Sequence, residues 1–225
     1  MKKKPVSLLA SITPFDVLAP KEIRDMERRS FKKHFQRGDT IFVEGSSSRT
    51  VWIVKAGRVH LATRHFNGKI STICVKAEGD LLCGLPALDR GNYPATAIAK
   101  EATRLIGVPS EVFSALMARH PRLSRKLVAM LCRCLRHAEE TAASHTFGSA
   151  EKRVVNVLVT LAEKFGPEIP LTREEIAELC GLAVETVIRT TSRLKIKNLL
   201  SSNGKKSLRV DAEKLHAHLE SLNMI

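Results

Sequence analysis

No stretch of this chain stays apolar for long. Uncharged runs reach about ten residues, as from Thr141 to Ala150, whereas a membrane-spanning helix needs roughly 18 or more. A helical integral membrane protein is therefore excluded. The opening MKKKPVSLLASITPFD has the basic tip of a secretory leader, but Pro14 and Asp16 cut its apolar part short. Cysteine is sparse as well. The five thiols are odd in number and scattered, which does not make a disulfide framework and points to a reducing, cytoplasmic setting. Catalytic signatures are missing too. The chain contains no nucleophile elbow, P-loop, GxGxxG or metal-ligand spacing, and RHAEETAASH departs from HExxH. An enzyme is not expected.

What the chain does have is length for one large domain or two modest ones, with 225 residues of which 44% are hydrophobic. It is strongly basic, with 37 Lys and Arg against 23 Asp and Glu, a net of +14. That balance disfavours an acidic disordered regulator and makes nucleic acid, an anionic membrane or an anionic ligand the first partners to consider. The charge is unevenly placed. Residues 1–149 carry 25 basic and 13 acidic side chains, and residues 150–225 carry 12 and 10. Even so, Arg189, Arg193, Lys195, Lys197, Lys205, Lys206 and Arg209 lie in a segment, Thr186 to Val210, that contains no acid.

From Phe31 to Val108 the pattern is β. Gly45, Gly57, Gly68 and Gly79 recur every 11 or 12 residues beside polar turn residues, with short alternating apolar pieces between them. Turns at that spacing predict a sandwich or barrel. Pro20 to Arg29 reads as a short amphipathic helix. The period then changes. Pro109-Ser110-Glu111 opens a helix that ends at His120-Pro121, and a second runs from Pro121 to about His145. Its stripe of Leu123, Leu127, Met130, Leu131, Cys134 and Thr141 has close to heptad spacing, which suits a two-helix dimer seam. A helix packed on its own β-domain gives the same stripe. Thr146 to Ser149 reads as a hinge.

From Ala150 the chain is helical again and stops at Gly166-Pro167. Thr172 and Glu175 form a capping box. The helix it starts breaks at Cys180-Gly181-Leu182, and the next runs from Val184 to Lys197. Leu199 to Val210 reads as a hairpin around Asn203-Gly204, the pair preferred in a two-residue type I′ turn, and Asp211 caps a last helix. Helix, glycine turn, helix and hairpin make a winged helix-turn-helix, whose second helix enters the DNA major groove. Glu185, Ile188, Arg189 and Ser192 share one face of that helix. The carboxylate suits cytosine N4, the guanidinium suits guanine O6 and N7, and Ile188 suits a thymine methyl. Arg193, Lys205 and Lys206 suit phosphates, as do the hydroxyls of Thr172 and Thr186. Glu and Arg four residues apart are, taken alone, most often a surface ion pair. The capping box, the glycine turn, the acid-free stripe and the hairpin together favour DNA.

The segments RGDTIFVEG, VWIVKAGRVHL, LLCGLPAL, YPATAIAKE, EVFSALMARHPRL and GLAVETVIRTTSRLKIKNLL resemble the CRP/FNR family of bacterial transcription regulators across nearly the whole chain. The resemblance implies an α+β fold in three parts: a β-roll sensor like a cyclic-nucleotide-binding jelly roll over 1–110, a dimerisation helix region and hinge over 111–148, and a winged helix-turn-helix over 149–225. It implies a homodimer on a palindromic site, with Glu185 and Arg189 reading a TGA-like half-site core, and RNA polymerase as a partner. Ile188 stands where the FNR branch has Ser, and Val184 where CRP-like members carry an extra Arg.

The effector pocket the resemblance implies comprises Gly84, Leu85, Pro86, Ala95, Thr96, Ala138 and Glu139. There, Leu85 replaces the Glu that meets the ribose, Ala95 replaces the Arg that meets the cyclic phosphate, and Ala138 and Glu139 replace the hydroxyl pair that meets the purine. cAMP is therefore disfavoured. A four-iron cluster is disfavoured because Cys74 is the first cysteine, too late for the N-terminal thiolates of that branch. The cofactor stays unknown. Haem on His34, His60, His65 or His137 remains open, as does thiol redox at Cys134 on the seam or Cys180 beside the DNA. A buried Cys is otherwise a small hydrophobe. The rival reading is a cyclic-nucleotide-type regulatory module without a primary DNA role, but it leaves the winged helix without a purpose.

Overall fold

The computed structural model describes residues 8–64, 70–82, 86–202 and 207–223. They fall into two compact units, residues 1–133 and 134–225. The boundary lies inside the long helix expected from Pro121, not at either end of it.

The first unit runs α1 (Leu8–Ser11), α2 (Pro20–Arg29), β1 (Phe31–Phe35), β2 (Thr40–Phe42), β3 (Thr50–Ala56), β4 (Val59–Arg64), β5 (Ile70–Lys76), β6 (Leu81–Leu82), α3 (Pro86–Asp89), β7 (Thr96–Ala99), β8 (Thr103–Pro109), α4 (Ser110–Arg119) and the start of α5 (Pro121–Phe147). Its strands form two antiparallel sheets, in orders β1-β8-β3-β6 and β2-β7-β4-β5. This is the β-roll. Strand β3 shows how it is filled. Side chains alternate across a strand, so Trp52 and Val54 face the roll interior with Phe35, Phe42, Leu61, Tyr93 and Leu105. Val51 and Ile53 face the other way and are covered by α1, α2, α4 and the first turns of α5. All four are buried, so β3 carries both cores. Two glycines are dictated by space. At the β3–β4 turn, Gly57 has φ of 93° and an added Cβ would lie 2.6 Å from Thr103 Oγ1. In β8, Gly107 is roofed by the ring of Phe31, which meets Trp52 edge-on at 5.4 Å.

Leu123 and Leu127 sit in the outer core with exposures of 0% and 1%, beside Phe113 and Met26. The expected dimer stripe therefore begins on a face that the protomer's own core covers. Its first two leucines are committed to their own protomer, with Met130 and Leu131 packed against the same core. What α5 leaves uncovered is Val128 and Leu135, 56% and 60% exposed, and the exposed Ala138 and Ala142. With the half-buried Leu131 these repeat at intervals of three and four residues, an a/d stripe that flanks the Leu123 face about a quarter-turn round the helix.

The second unit comprises the rest of α5, α6 (Ala150–Phe165), β9 (Glu168–Ile169), α7 (Arg173–Cys180), α8 (Val184–Ile196), β10 (Leu200–Ser202), β11 (Leu208–Val210) and α9 (Ala212–Asn223). Helix α6 supplies its hub through the buried Val154, Val155, Leu158 and Leu161. Strand β9 was not expected. It pairs with β11 and makes the wing a three-stranded sheet, order β10-β11-β9.

A stability test follows from the outer core. Phe113 is fully buried and meets Phe15 edge-on with centroids 6.1 Å apart. Phe113→Ala is expected to cost about 3–5 kcal/mol in urea unfolding of the full chain. A loss under about 1 kcal/mol would show that this core does not hold the α-helices on the roll.

Candidate nucleic-acid interface

The helix-turn-helix begins with its cap. Thr172 Oγ1 accepts from Glu175 N at 3.3 Å, and Glu175 Oε2 accepts from Thr172 N at 2.8 Å, so the capping box forms as its residue types require. Thr172 is thereby engaged at the start of α7, and its hydroxyl also holds the neighbouring Glu174 carboxyl below its ordinary range, second to the helix-start backbone bond. Helix α7 ends at Gly181, whose φ of 59° and ψ of 40° are left-handed. That geometry favours glycine and lets its N–H return to the last turn.

Helix α8 follows from Ala183, a helix start without a side-chain cap. Val187, Thr190, Thr191 and Leu194 are buried, and burying Val187 and Leu194 contributes about 1.5–3 kcal/mol each. The buried Thr191 hydroxyl donates to Val187 O at 2.8 Å, so no polar group is stranded. The opposite face is left open. Glu185, Ile188, Arg189 and Ser192 are all exposed, as is Arg193. Among the described residues neither Glu185 nor Arg189 takes an ion-pair partner, so their charges face solvent and not each other. Ser192 Oγ donates to Ile188 O at 2.9 Å, which leaves its oxygen as an acceptor. Thr186 is half-buried beside them.

The acid-free stripe is less uniform in space than along the chain. Lys197 Nζ donates to Glu151 Oε1 at 2.8 Å, and Arg209 is paired in register with Glu168 of β9. Lys205, Lys206 and the Asn203-Gly204 turn lie outside the described residues. On either side of them, Ser202 pairs with Leu208. The two described strands, Leu200–Ser202 and Leu208–Val210, are antiparallel as a hairpin requires.

The effector positions separate by unit. Gly84 and Leu85 lie outside the described residues, and α3 begins at Pro86. Ala95 is buried in the apolar roll interior at 2% exposure, and Thr96 Oγ1 accepts from Glu44 N at 3.0 Å. Ala138 and Glu139 are exposed on the second unit's part of α5. On a neighbouring face, His137 and Glu140 join Lys152, Glu163 and His216 around a crevice of about 570 Å³. Its mixed charge selects no anion. Of the other histidines, His34 is exposed on β1, His60 is buried in β4, and His65 lies outside the described residues. Among the described residues no three His, Cys, Asp or Glu side chains are placed to hold a metal ion.

The two redox thiols differ sharply. Cys180 is fully buried, its Sγ 3.8 Å from Arg153 O. Burial pushes the thiol up to about 12 despite the nearby Arg153 charge, so it stays protonated and unreactive at neutral pH. Cys134 is exposed, as is Cys132.

Two residues with no marking in the sequence pattern complete the arrangement. Arg153 Nη2 donates to the carbonyls of Cys180 and Gly181, the latter at 3.0 Å. Glu151 Oε1 accepts from Lys197 Nζ and from His218 Nε2, both at 2.8 Å. These bonds, Lys197 first and His218 next, hold the Glu151 carboxyl below its ordinary range. Their partners lie 27, 46 and 67 residues downstream, too far for local spacing to reveal.

A β-roll, a long helix and a winged helix-turn-helix with an open reading face define a DNA-binding transcription regulator. Comparison with known proteins agrees. Residues 32–120 match the family model for the cyclic nucleotide-binding domain, and residues 152–217 that for the Crp-like helix-turn-helix domain. The chain is 32% identical over 182 residues to the cyclic AMP receptor protein of Thermus thermophilus, spanning 80% of this chain and 84% of the relative. It is 29% identical over 180 residues to the transcriptional activator protein FnrA of Stutzerimonas stutzeri, spanning 76% and 72%. Its fold is like that of FixK2 from Bradyrhizobium japonicum, with a TM-score of 0.74 at 23% identity over 84% of this chain and 96% of that one. The chain belongs to the CRP/FNR family of transcription regulators. No helix among the described residues is long and apolar enough to cross a membrane.

The thiol environments give a chemical test. Iodoacetamide at neutral pH is expected to label Cys132 and Cys134 in the native protein, and Cys180 only after unfolding, read by peptide mass spectrometry. Native labelling of Cys180 at the same rate would contradict its burial.

Proposed function

We propose that the protein is a homodimeric, sequence-specific transcription regulator that binds a palindromic site with a TGA-like half-site core. The observation that carries this reading is the two-sided character of α8: Val187 and Leu194 are buried, while Glu185, Ile188, Arg189 and Ser192 are open on the opposite face. Arg189 reads guanine O6 and N7, Glu185 accepts from cytosine N4, and Ile188 contacts a thymine methyl, with Ser192 as a further acceptor. Thr186, Arg193 and the wing lysines Lys205 and Lys206 sit on phosphates, which orient the protein without reading bases. The second copy docks along α5 through Val128, Leu131, Leu135, Ala138 and Ala142. RNA polymerase is the protein partner expected of such a regulator.

The signal is something other than cAMP. The relative from Thermus thermophilus carries cyclic AMP in its name, but here the position for a cation on the cyclic phosphate is Ala95, buried among Phe42, Tyr93 and Leu61. A methyl group there offers an anion nothing. Of the two thiols considered for redox sensing, the buried Cys180 is unsuited and the exposed Cys134 keeps the role open. For haem, His60 is buried within the roll sheet, while the exposed His34 and the half-buried His137 keep that role open.

The test compares two arginines on one helix. Arg189→Ala is expected to lose about 1–3 kcal/mol of affinity for a palindromic TGA-core duplex and to stop distinguishing the guanine it reads. Arg193→Ala is expected to weaken that duplex and a scrambled one alike, with a shallower salt dependence. Identical effects of the two substitutions, or equal binding of the native protein to scrambled DNA, would overturn the assignment.

A further inference from the structure

We propose that Glu151 and Arg153, in the opening turns of α6, are positioning residues for DNA reading. They grip the turn that leads into α8 and the residue that ends it, so that a movement of the start of α6 is passed directly to the reading face. The inference rests on the assignment of α8 as the reading helix and adds to it the means by which that helix is aimed.

The geometry is that of a clamp. Helix α6 starts at Ala150, and α5 ends at Phe147, so α6's first turn is the first regular structure after the expected hinge. It is held by Ser149, whose hydroxyl accepts from Lys152 N at 3.2 Å. Residues two apart on a helix point to nearly opposite sides, about 200° around the axis. Arg153 therefore reaches one end of α8 while Glu151 reaches the other. At the near end, the Arg153 guanidinium binds the carbonyls of Cys180 and Gly181, which are the close of α7 and the left-handed turn leading into α8. The thiol of Cys180 donates back to Arg153 O at 3.8 Å. At the far end, Glu151 holds Lys197, the residue that terminates α8, and ties it to His218 of α9. The side-chain exposures of Glu151 and His218 are 24% and 17%, and that of Lys197 is 48%, so the Glu151–His218 side of this junction is the better shielded from water.

Apolar packing alone would not set the aim. Val187 and Leu194 press α8 onto its neighbours, but hydrophobic contact is non-directional and tolerates small rotations. Hydrogen bonds to charged groups are directional and stronger than neutral ones. With one at each end, the roll of α8 about its own axis and its shift along that axis are both fixed. Bidentate readout needs its side chains held within about 0.5 Å and 10–20° of productive geometry. Lys197, although part of the basic stripe, is thereby tied to Glu151 at the surface.

The experiment uses the full chain and two duplexes: the palindromic TGA-core site, and the same site changed at the guanine assigned to Arg189. The ratio of the two affinities is measured alongside the thermal midpoint. Glu151→Ala and Arg153→Met are expected to lower that ratio about tenfold, the order of one charge-assisted hydrogen bond. Glu151→Gln and Arg153→Lys, which keep one acceptor or one donor, are expected to restore part of it. These conservative variants carry the test if the truncations unfold. A ratio unchanged in all four variants, or equal weakening on both duplexes, overturns the inference while the reading helix stands. If the native protein itself shows no discrimination, the assignment of α8 fails and the clamp with it.

Discussion

Everything the second unit can do on DNA depends on how one face of α8 is buried. Val187 and Leu194, seven residues apart and both at 0% exposure, are buried along with Ile176, Leu158 and Val154 in a unit where α8 packs against α6 and α7. Two turns of helix are thereby fixed by apolar contact, which leaves the opposite face without a role in folding. That face bears Glu185, Ile188, Arg189 and Ser192. Stability and the proposed recognition thus occupy opposite sides of one short helix. The polar face is free to vary in chemistry while the buried face holds its direction.

Much of this arrangement was legible in the sequence, because its signals are local. The Thr172–Glu175 box, the glycine turn at 181 and the apolar period of α6 each lie within a few residues, and the helices formed where those signals placed them. What escaped were relations between distant segments. Strand β9 has two residues, too few to show alternation, and exists because β11 offers it an edge. Glu151 and Arg153 carry no local signal, and only the fold brings Lys197 and Cys180 to them. The stripe on α5 is the clearest case. Its period was right, but period alone does not say what covers a face, and the protomer's own core covers Leu123 and Leu127 while Val128 and Leu135 stay open.

The positive charge tells a similar story. Of the +14, only a small share belongs to the residues after 149, and within that share Lys197 answers Glu151 and Arg209 lies beside Glu168. On α8 the exposed Arg193 remains beside the proposed reading face. The larger share sits on the first unit. Some of it is spent on intramolecular pairs, such as Lys126 with Asp16 at 2.5 Å and Arg58 with Glu101 at 3.0 Å, which tie its helices and turns together.

The most direct measurement is the affinity of the full chain for palindromic duplexes whose two TGA-core half-sites are moved apart one base pair at a time. A dimer joined through Val128 and Leu135 of α5 binds most tightly when the half-site centres lie about 34–36 Å apart, one helical turn, and Leu135→Asp abolishes that maximum. Equal affinity at every spacing, or undiminished binding to a single half-site, would contradict a paired reading of DNA by two copies of α8.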